Sequence, residues 1–291
     1  MPESRRWTMP EMAGILSNKI PQEELKPGDH IYSWRNAYLY AHHGIYVGDG
    51  MVIHFTRAAG QEIGTGTVLD RFIFSSFPSH PSGSPCPRCG DQSRNEGVIS
   101  SCLECFLCGG ELYLFKYSVS PGLFIAKIRG GTCTIAPSDP PELVLHRAEF
   151  LLQNGFGVYN ILKNNCEDFA IYCKTSLLAF TNISVGRSGQ ASSLFAAKTA
   201  IASVPLPFLT TCFSGLAVVG SGFYCAHRYA YDIGVRRDVM KIPVEYYLPL
   251  VRAAATTTDT SKEKVSMLTA YKWISQVGYY TIANAFEKIS R

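Results

Sequence analysis

This chain is poor in the features that would make it a nucleotide or nucleic-acid protein. It has no glycine loop suited to cradling a phosphate, no redox motif and no internal repeat, which excludes the common nucleotide chemistries. Net charge is only +4 and the pI is near 8.5, too mild a basic excess for a nucleic-acid partner but compatible with an anionic lipid surface. The first residues, through Met12, carry Arg5 and Arg6 and no apolar core, so no secretory signal is predicted there and the protein is expected not to be secreted. Ten cysteines without such a signal argue against a disulfide framework and leave packing, metal binding and thiol chemistry. A further absence is local: no charged residue occurs from Thr199 through Ala226.

Among the residues present, Asn165-Cys166-Glu167-Asp168-Phe169 carries the most information. Pro141 to Phe150 has the pattern of an amphipathic helix, Gly155-Phe156-Gly157 breaks it, and Lys163-Asn164-Asn165 supplies capping side chains before a new apolar run. Cys166 is therefore expected at a helix start, where unpaired N–H groups and the positive helix end favour a thiolate and lower its pKa. A cysteine alone is more often core filler than nucleophile. Its partners decide. Residues 40 to 54 read as two short strands joined by the tight turn Gly48-Asp49-Gly50, with His42 on one strand and His54 on the next. A helix bearing Cys166 and packed on that sheet would complete a Cys-His-third-group arrangement.

Four segments follow in order: Leu25-Lys26-Pro27-Gly28-Asp29-His30-Ile31, His42-x-Gly44-Ile45-Tyr46-Val47-Gly48-Asp49-Gly50, Val52-Ile53-His54 and Asn165-Cys166-Glu167. With these motifs the chain resembles the lecithin:retinol acyltransferase-like domain family, in particular its plant branch of NC-domain proteins, over about residues 20 to 180. The resemblance implies an α+β, circularly permuted papain-like fold, an antiparallel sheet packed on helices. It also implies an activity: the cysteine takes an acyl group from a glycerophospholipid as a thioester and passes it to water, an amine or an alcohol. Carried over by position, the nucleophile is Cys166, the general base His42 and the orienting third group His54. Strand alternation places His43 on the opposite face from His42, and His30 is expected to be structural and exposed beside the first turn. The backbone N–H of Cys166 is the expected oxyanion donor, and Glu167 and Asp168 are expected to point away from the sulfur, because their charge opposes a thiolate.

Cys86-Pro87-Arg88-Cys89 and Cys102-Leu103-Glu104-Cys105 are two C-x-x-C pairs with the spacing of a structural tetrathiolate zinc site, in a Cys-rich insertion spanning about residues 78 to 110. The competing reading makes Cys102 and Cys105 core residues of a short helix among Val98, Ile99, Leu103, Phe106 and Leu107. No cofactor is expected for catalysis. Cys133, Cys173, Cys212 and Cys225 default to packing. Glu111 to Tyr117 reads as a central strand and Phe124 to Lys127 as a further one.

The domain plan is a flexible lead-in over 1–20, the catalytic domain over 21–180, an apolar segment over 181–241 that associates with membrane, and an amphipathic helical tail over 242–291. Arg228, Arg236, Arg237 and Lys241 follow the apolar run and would mark a cytoplasmic flank. Partners are accordingly a phospholipid acyl donor and a membrane surface. Three functional classes fit: a thiol acyltransferase or phospholipase A, a cysteine peptidase or amidase on the same fold, and a non-catalytic membrane scaffold.

Overall fold

A computed structural model describes residues 17–35, 40–57, 84–92, 95–127, 129–159, 164–179, 189–190, 193, 197 and 213–255. Five strands form one antiparallel sheet: β1 (His30–Arg35), β2 (Tyr40–Gly48), β3 (Met51–Thr56), β4 (Gly97–Cys102) and β5 (Tyr113–Leu114), in the order β4-β3-β2-β1-β5. The β2–β3 turn is tight because Asp49 and Gly50 both adopt positive φ, 49° and 64°, the conformation that matches a two-residue hairpin loop to strand twist. Helix α1 (Leu103–Leu107) follows β4, and α2 (Pro121–Ala126), α3 (Pro141–Asn154) and α4 (Cys166–Thr175) follow β5.

Both faces of the sheet are covered, and the period-2 alternation of the strands decides what each face carries. On one face Tyr32, Ala41, Phe115 and Ile171 share a buried cluster, with α4 packed on β2 and β3 and against α3. On the other, Ile31, Val52, Leu103, Phe106, Leu107 and Leu112 cluster beneath α1. Every residue of α4 is buried, so the helix is central. Arg147 of α3 fixes its far end, donating to the Cys173 carbonyl at 2.8 Å while paired with Asp139. A second sheet joins β6 (Leu177–Ala179) to β7 (Val239–Lys241), with α5 (Phe213–Ala230) before β7.

Several sequence expectations are corrected. Glu111 to Tyr117 contributes only the two-residue edge strand β5, not a central strand. Phe124 to Ala126 is helical instead of extended, with Lys127 as the C-cap, because Ser120 caps α2 through the Leu123 N–H and Pro121 sits at its first turn. Among the described residues no helix is long and apolar enough to cross a membrane. Arg228, expected at a charged flank, is 3% exposed. It donates to the Lys127 carbonyl at 2.7 Å and lies over the Phe124 ring, so the end of α5 docks on α2.

Residues 199–212 of the apolar run, the N-terminal residues 1–16 and the start of the insertion lie outside the described residues, as do the tail positions Val265 to Ile289. The chain divides into two compact units at Ile242/Pro243, and the second contributes helix α6 (Val244–Ala255), which contains Pro249.

Candidate active site

Asn165 starts α4. Its side chain accepts from the N–H groups of Glu167 (2.8 Å) and Asp168 (3.1 Å), and Asp168 returns the bond by accepting from the Asn165 N–H at 3.0 Å. This reciprocal box satisfies donors that a helix start leaves unpaired and fixes the direction in which Cys166, the first helical residue, projects. Asn165→Ala should therefore lower stability by about 1 kcal/mol, read as a shift in the urea midpoint at unchanged slope. An unchanged midpoint would show that the cap contributes nothing.

The sulfur of Cys166 lies at the edge where β2 leaves β3. The two strands pair at Ile45↔Ile53, Tyr46↔Val52 and Gly48↔Met51. Nearer the start of β2, the Ala41 N–H donates to Gln190 Oε1 at 2.7 Å and the Ala41 carbonyl accepts from Gln190 Nε2 at 3.0 Å. Cys166 Sγ enters beside them, 3.8 Å from the Ala41 carbonyl and 2.7 Å from the Tyr40 hydroxyl, which also meets Tyr159 Oη at 2.8 Å. It is 0% exposed.

Burial changes the electrostatics expected from the helix start. The Cys166 thiol is not lowered but pushed up to about 12, by desolvation first, with the Tyr40 hydroxyl and the His43 backbone N–H opposing and the Glu167 charge adding. The magnitudes explain the reversal, since a helix end contributes at most ~2 kcal/mol whereas full burial shifts a group by several pK units. Neither acid bonds to the sulfur: Glu167 accepts from the Gly189 and Gln190 N–H groups at 2.8 and 3.0 Å, and Asp168 is engaged in the cap.

His42 and His54 are brought together. His42 Nε2 lies 2.9 Å from His54 Nδ1, and His54 Nε2 lies 2.9 Å from Ser101 Oγ on β4. Both rings are fully buried, and both imidazoles are shifted well below the ordinary histidine range by desolvation, His54 to about 3. His42 Nδ1 has no hydrogen-bond partner. A neutral imidazole carries one N–H, and a buried donor without an acceptor is costlier than a bare lone pair, so the network assigns the proton to Nε2, donating to His54. That leaves a free lone pair on Nδ1. His43 lies on the opposite face as expected, with Nδ1 2.8 Å from His30 Nε2. His30 corrects its expectation of exposure: it is 1% exposed, bonded to His43 and to Tyr117 Oη at 2.8 Å.

The four cysteines of the two C-x-x-C pairs also converge. Their sulfurs all lie within 4.8 Å of one another, with Cys86 to Cys102 at 3.7 Å and Cys89 to Cys102 at 3.8 Å. This group could hold a metal ion. The Cys86 thiol is lowered to about 6 because the backbone N–H groups of Cys89 and Arg88 point at its sulfur. Both readings hold in part, since Cys102 stands at the N-cap of a short, mostly buried helix, Cys105 lies within it, and both belong to the cluster as well. Cys108 is exposed and outside the group.

Residues 23–179 match the family described as lecithin retinol acyltransferase. The chain belongs to that family. Among similar proteins is Protein LEAD-SENSITIVE 1 of Arabidopsis thaliana, 58% identical over 233 residues, which are 80% of this chain and 89% of that protein. The site includes residues that the sequence motifs did not point to: Tyr40, Ser101, Phe106 and Tyr159 within the acyltransferase-family region, and Gln190 beyond it. Tyr40 and Ser101 had a weak signal, each being polar and two residues along its strand from His42 or from Ile99, the cross-strand partner of His54. Gln190 is distant in sequence and had none.

Proposed function

We propose that this protein is a membrane-associated thiol acyltransferase or phospholipase A that draws acyl groups from glycerophospholipids through an acyl thioester on Cys166. The single observation that carries the chemistry is the buried, unpartnered Nδ1 of His42, whose other ring nitrogen is held by His54, on β2, the strand whose Tyr40 hydroxyl lies 2.7 Å from the fully buried Cys166 thiol. In this reading His42 Nδ1 takes the thiol proton as Sγ adds to the ester carbonyl. The tetrahedral adduct is stabilised by the Cys166 N–H, which has no carbonyl partner in its helix. Its collapse breaks the ester C–O bond, and His42 returns the proton to the leaving lysophospholipid oxygen. Water, an amine or an alcohol then loses a proton to His42, attacks the thioester and releases Cys166 as the thiol. The neutral thiol and neutral imidazole of the resting site mean that the ion pair forms only as an electrophile reacts.

The fold reading is the circularly permuted papain-like one. Its support is chain order: the histidine strands precede the cysteine helix, whereas in papain-like enzymes the cysteine comes first. Membrane association is supported by the uncharged run 199–226 and by exposed Val218 and Phe223 on α5.

The four-cysteine group is read as a structural zinc site. Zn–S bonds of about 2.3 Å at tetrahedral angles place sulfurs ~3.8 Å apart, which the observed 3.7 and 3.8 Å separations match. The name of the Arabidopsis relative attaches lead sensitivity to that protein. In this chain a thiophilic cation such as Pb2+ would compete for the same four thiols.

Incubation with phosphatidylcholine followed by peptide mass spectrometry tests the reading. A hydroxylamine-labile acyl adduct is expected on the Cys166 peptide of wild type and absent from Cys166→Ala. A reactive Cys166 that never acquires an acyl group would refute the lipid donor and favour peptide or amide substrates.

A further inference from the structure

The cysteine cluster and the histidine pair are not separate features of the fold. Two of the four cysteines, Cys102 and Cys105, flank the start of α1, and each is one peptide unit from a residue that touches the base pair. Ser101, preceding Cys102, meets His54 Nε2 at 2.9 Å. Phe106, following Cys105, is 0% exposed, and its ring lies 5.2 Å from that of His42 and 5.4 Å from that of His54. It fits because Gly44 has no side chain: a Cβ there would stand 2.9 Å from Phe106 Cε2. With 3.8 Å between successive Cα atoms, neither neighbour can keep its place if the cysteine beside it moves far.

Alone, α1 has little to hold it. It is five residues long, below the length at which a helix sustains itself, and its last carbonyls are met by Arg35, which donates to Leu107 O at 2.7 Å and to Phe106 O. The other two cysteines sit in the 84–92 turn, where Cys86 and Gly90 exchange backbone hydrogen bonds and Arg88 donates to the Asp49 carbonyl in the β2–β3 turn. Leu103 N–H donates to the Gly50 carbonyl of that same turn at 2.8 Å. Four sulfurs within 4.8 Å of one another supply weak attraction as thiols, and strong directional bonds once a cation joins them.

We propose that a divalent cation held by Cys86, Cys89, Cys102 and Cys105 is a positioning device for the base: it fixes Ser101 and Phe106 against the His42–His54 pair, so that metal occupancy determines whether His42 can accept the Cys166 proton. This rests on the reading of His42 as the base of Cys166. Ser101 and Phe106 act as positioning residues and the metal takes no part in the chemistry. Loss or exchange of the ion, by chelation, thiol oxidation or a larger soft cation, then switches the thiol chemistry without touching Cys166.

The test uses the full chain and two readouts other than acyl transfer. Metal content is measured by elemental analysis, with Co2+ substitution to show a tetrahedral thiolate spectrum. Iodoacetamide alkylation of the Cys166 peptide is then followed from about pH 6 to 9, a range spanning ordinary imidazole and thiol titration, in loaded, stripped and reloaded protein. One metal ion per chain is expected. Loaded protein should show a base-assisted reaction at Cys166 that is flat with pH near neutrality. Stripping should lower that neutral reaction at least about tenfold, the low end of a general-base contribution being larger still, and leave only a rise with hydroxide. Reloading with Zn2+ or Cd2+ should restore it.

A chain that retains no metal, or one whose Cys166 profile is the same loaded and stripped, overturns the proposal. So does a stripped chain in which every cysteine titrates as an ordinary thiol, because the ion would then be a clip for the whole fold and not a positioning device. Loaded protein that shows the base-assisted reaction but forms no acyl thioester with phosphatidylcholine would refute the lipid substrate and leave the metal coupling standing.

Discussion

Cys166→Ser and His42→Gln will each reduce acyl transfer from phosphatidylcholine by at least about 10³-fold, and the double variant will be no worse than the weaker single, because nucleophile and base act as one unit. Serine keeps the shape of the side chain but replaces a nucleophilic sulfur with a hydroxyl that a neutral imidazole of lowered basicity cannot activate. Glutamine retains a polar group near His54 and removes the Nδ1 lone pair, the one atom of the buried pair with no partner. His54→Asn should fall between wild type and these, about 10²-fold down, since it acts on the reaction by orienting His42 through the 2.9 Å contact. Steady-state rates on phosphatidylcholine vesicles check all of them, with thermal unfolding to establish that each variant is folded. His42→Gln retaining a tenth or more of wild-type activity would remove His42 as the base.

Acidification from neutral pH should destabilise the protein steeply. His30, His42, His43 and His54 are fully buried and all four are shifted below the ordinary histidine pKa, chiefly by desolvation, His43 and His54 to about 3. Between about pH 6.5 and those lowered values the unfolded chain binds protons that the folded chain refuses, so stability falls as pH falls. Buried Asp168 and Asp232 act in the opposite sense, because burial raises their pKa values and the folded chain then holds protons that the unfolded chain has released. Four histidine protons outweigh two carboxyl protons. Each uncompensated proton lowers stability by up to about 1.4 kcal/mol per pH unit, so the net slope is destabilising as pH falls below about 6. Urea unfolding from about pH 5 to 7.5 measures it directly. Stability independent of pH over that interval would mean that the four rings are hydrated or protonated in the folded chain.

The relation between the two histidine pairs shows why alternation mattered to the function. Adjacent residues His42 and His43 occupy opposite faces of β2, and each finds another histidine on its own face: His54 under α1 and His30 under α4. A register slip of one residue would exchange the pairs and remove the free nitrogen from its place. The slip is prevented by the Asp49-Gly50 turn and by the six-residue β1–β2 register from His30↔Ile45 to Arg35↔Tyr40.

The sequence by itself determined the elements whose signals are local. The hairpin of β2 and β3 was legible from alternation and the Gly48-Asp49-Gly50 turn, α3 from its apolar period and Gly155, and the start of α4 from Asn165 with Asp168 three residues on. The ordered motifs around His42, His54 and Cys166 were enough to identify the family, and the spacing of Cys86, Cys89, Cys102 and Cys105 was enough to suggest a tetrathiolate. Other features depend on distance and burial between segments remote in the chain. Tyr40 reaches Cys166 across 126 positions and Gln190 reaches Ala41 across 149. Desolvation, which no sequence pattern reports, raised the thiol that its helix position alone would have lowered. Tertiary packing also put the end of α5 against α2 and set the cysteine cluster close to His42, because these outcomes follow from which faces meet and not from the propensity of any one segment.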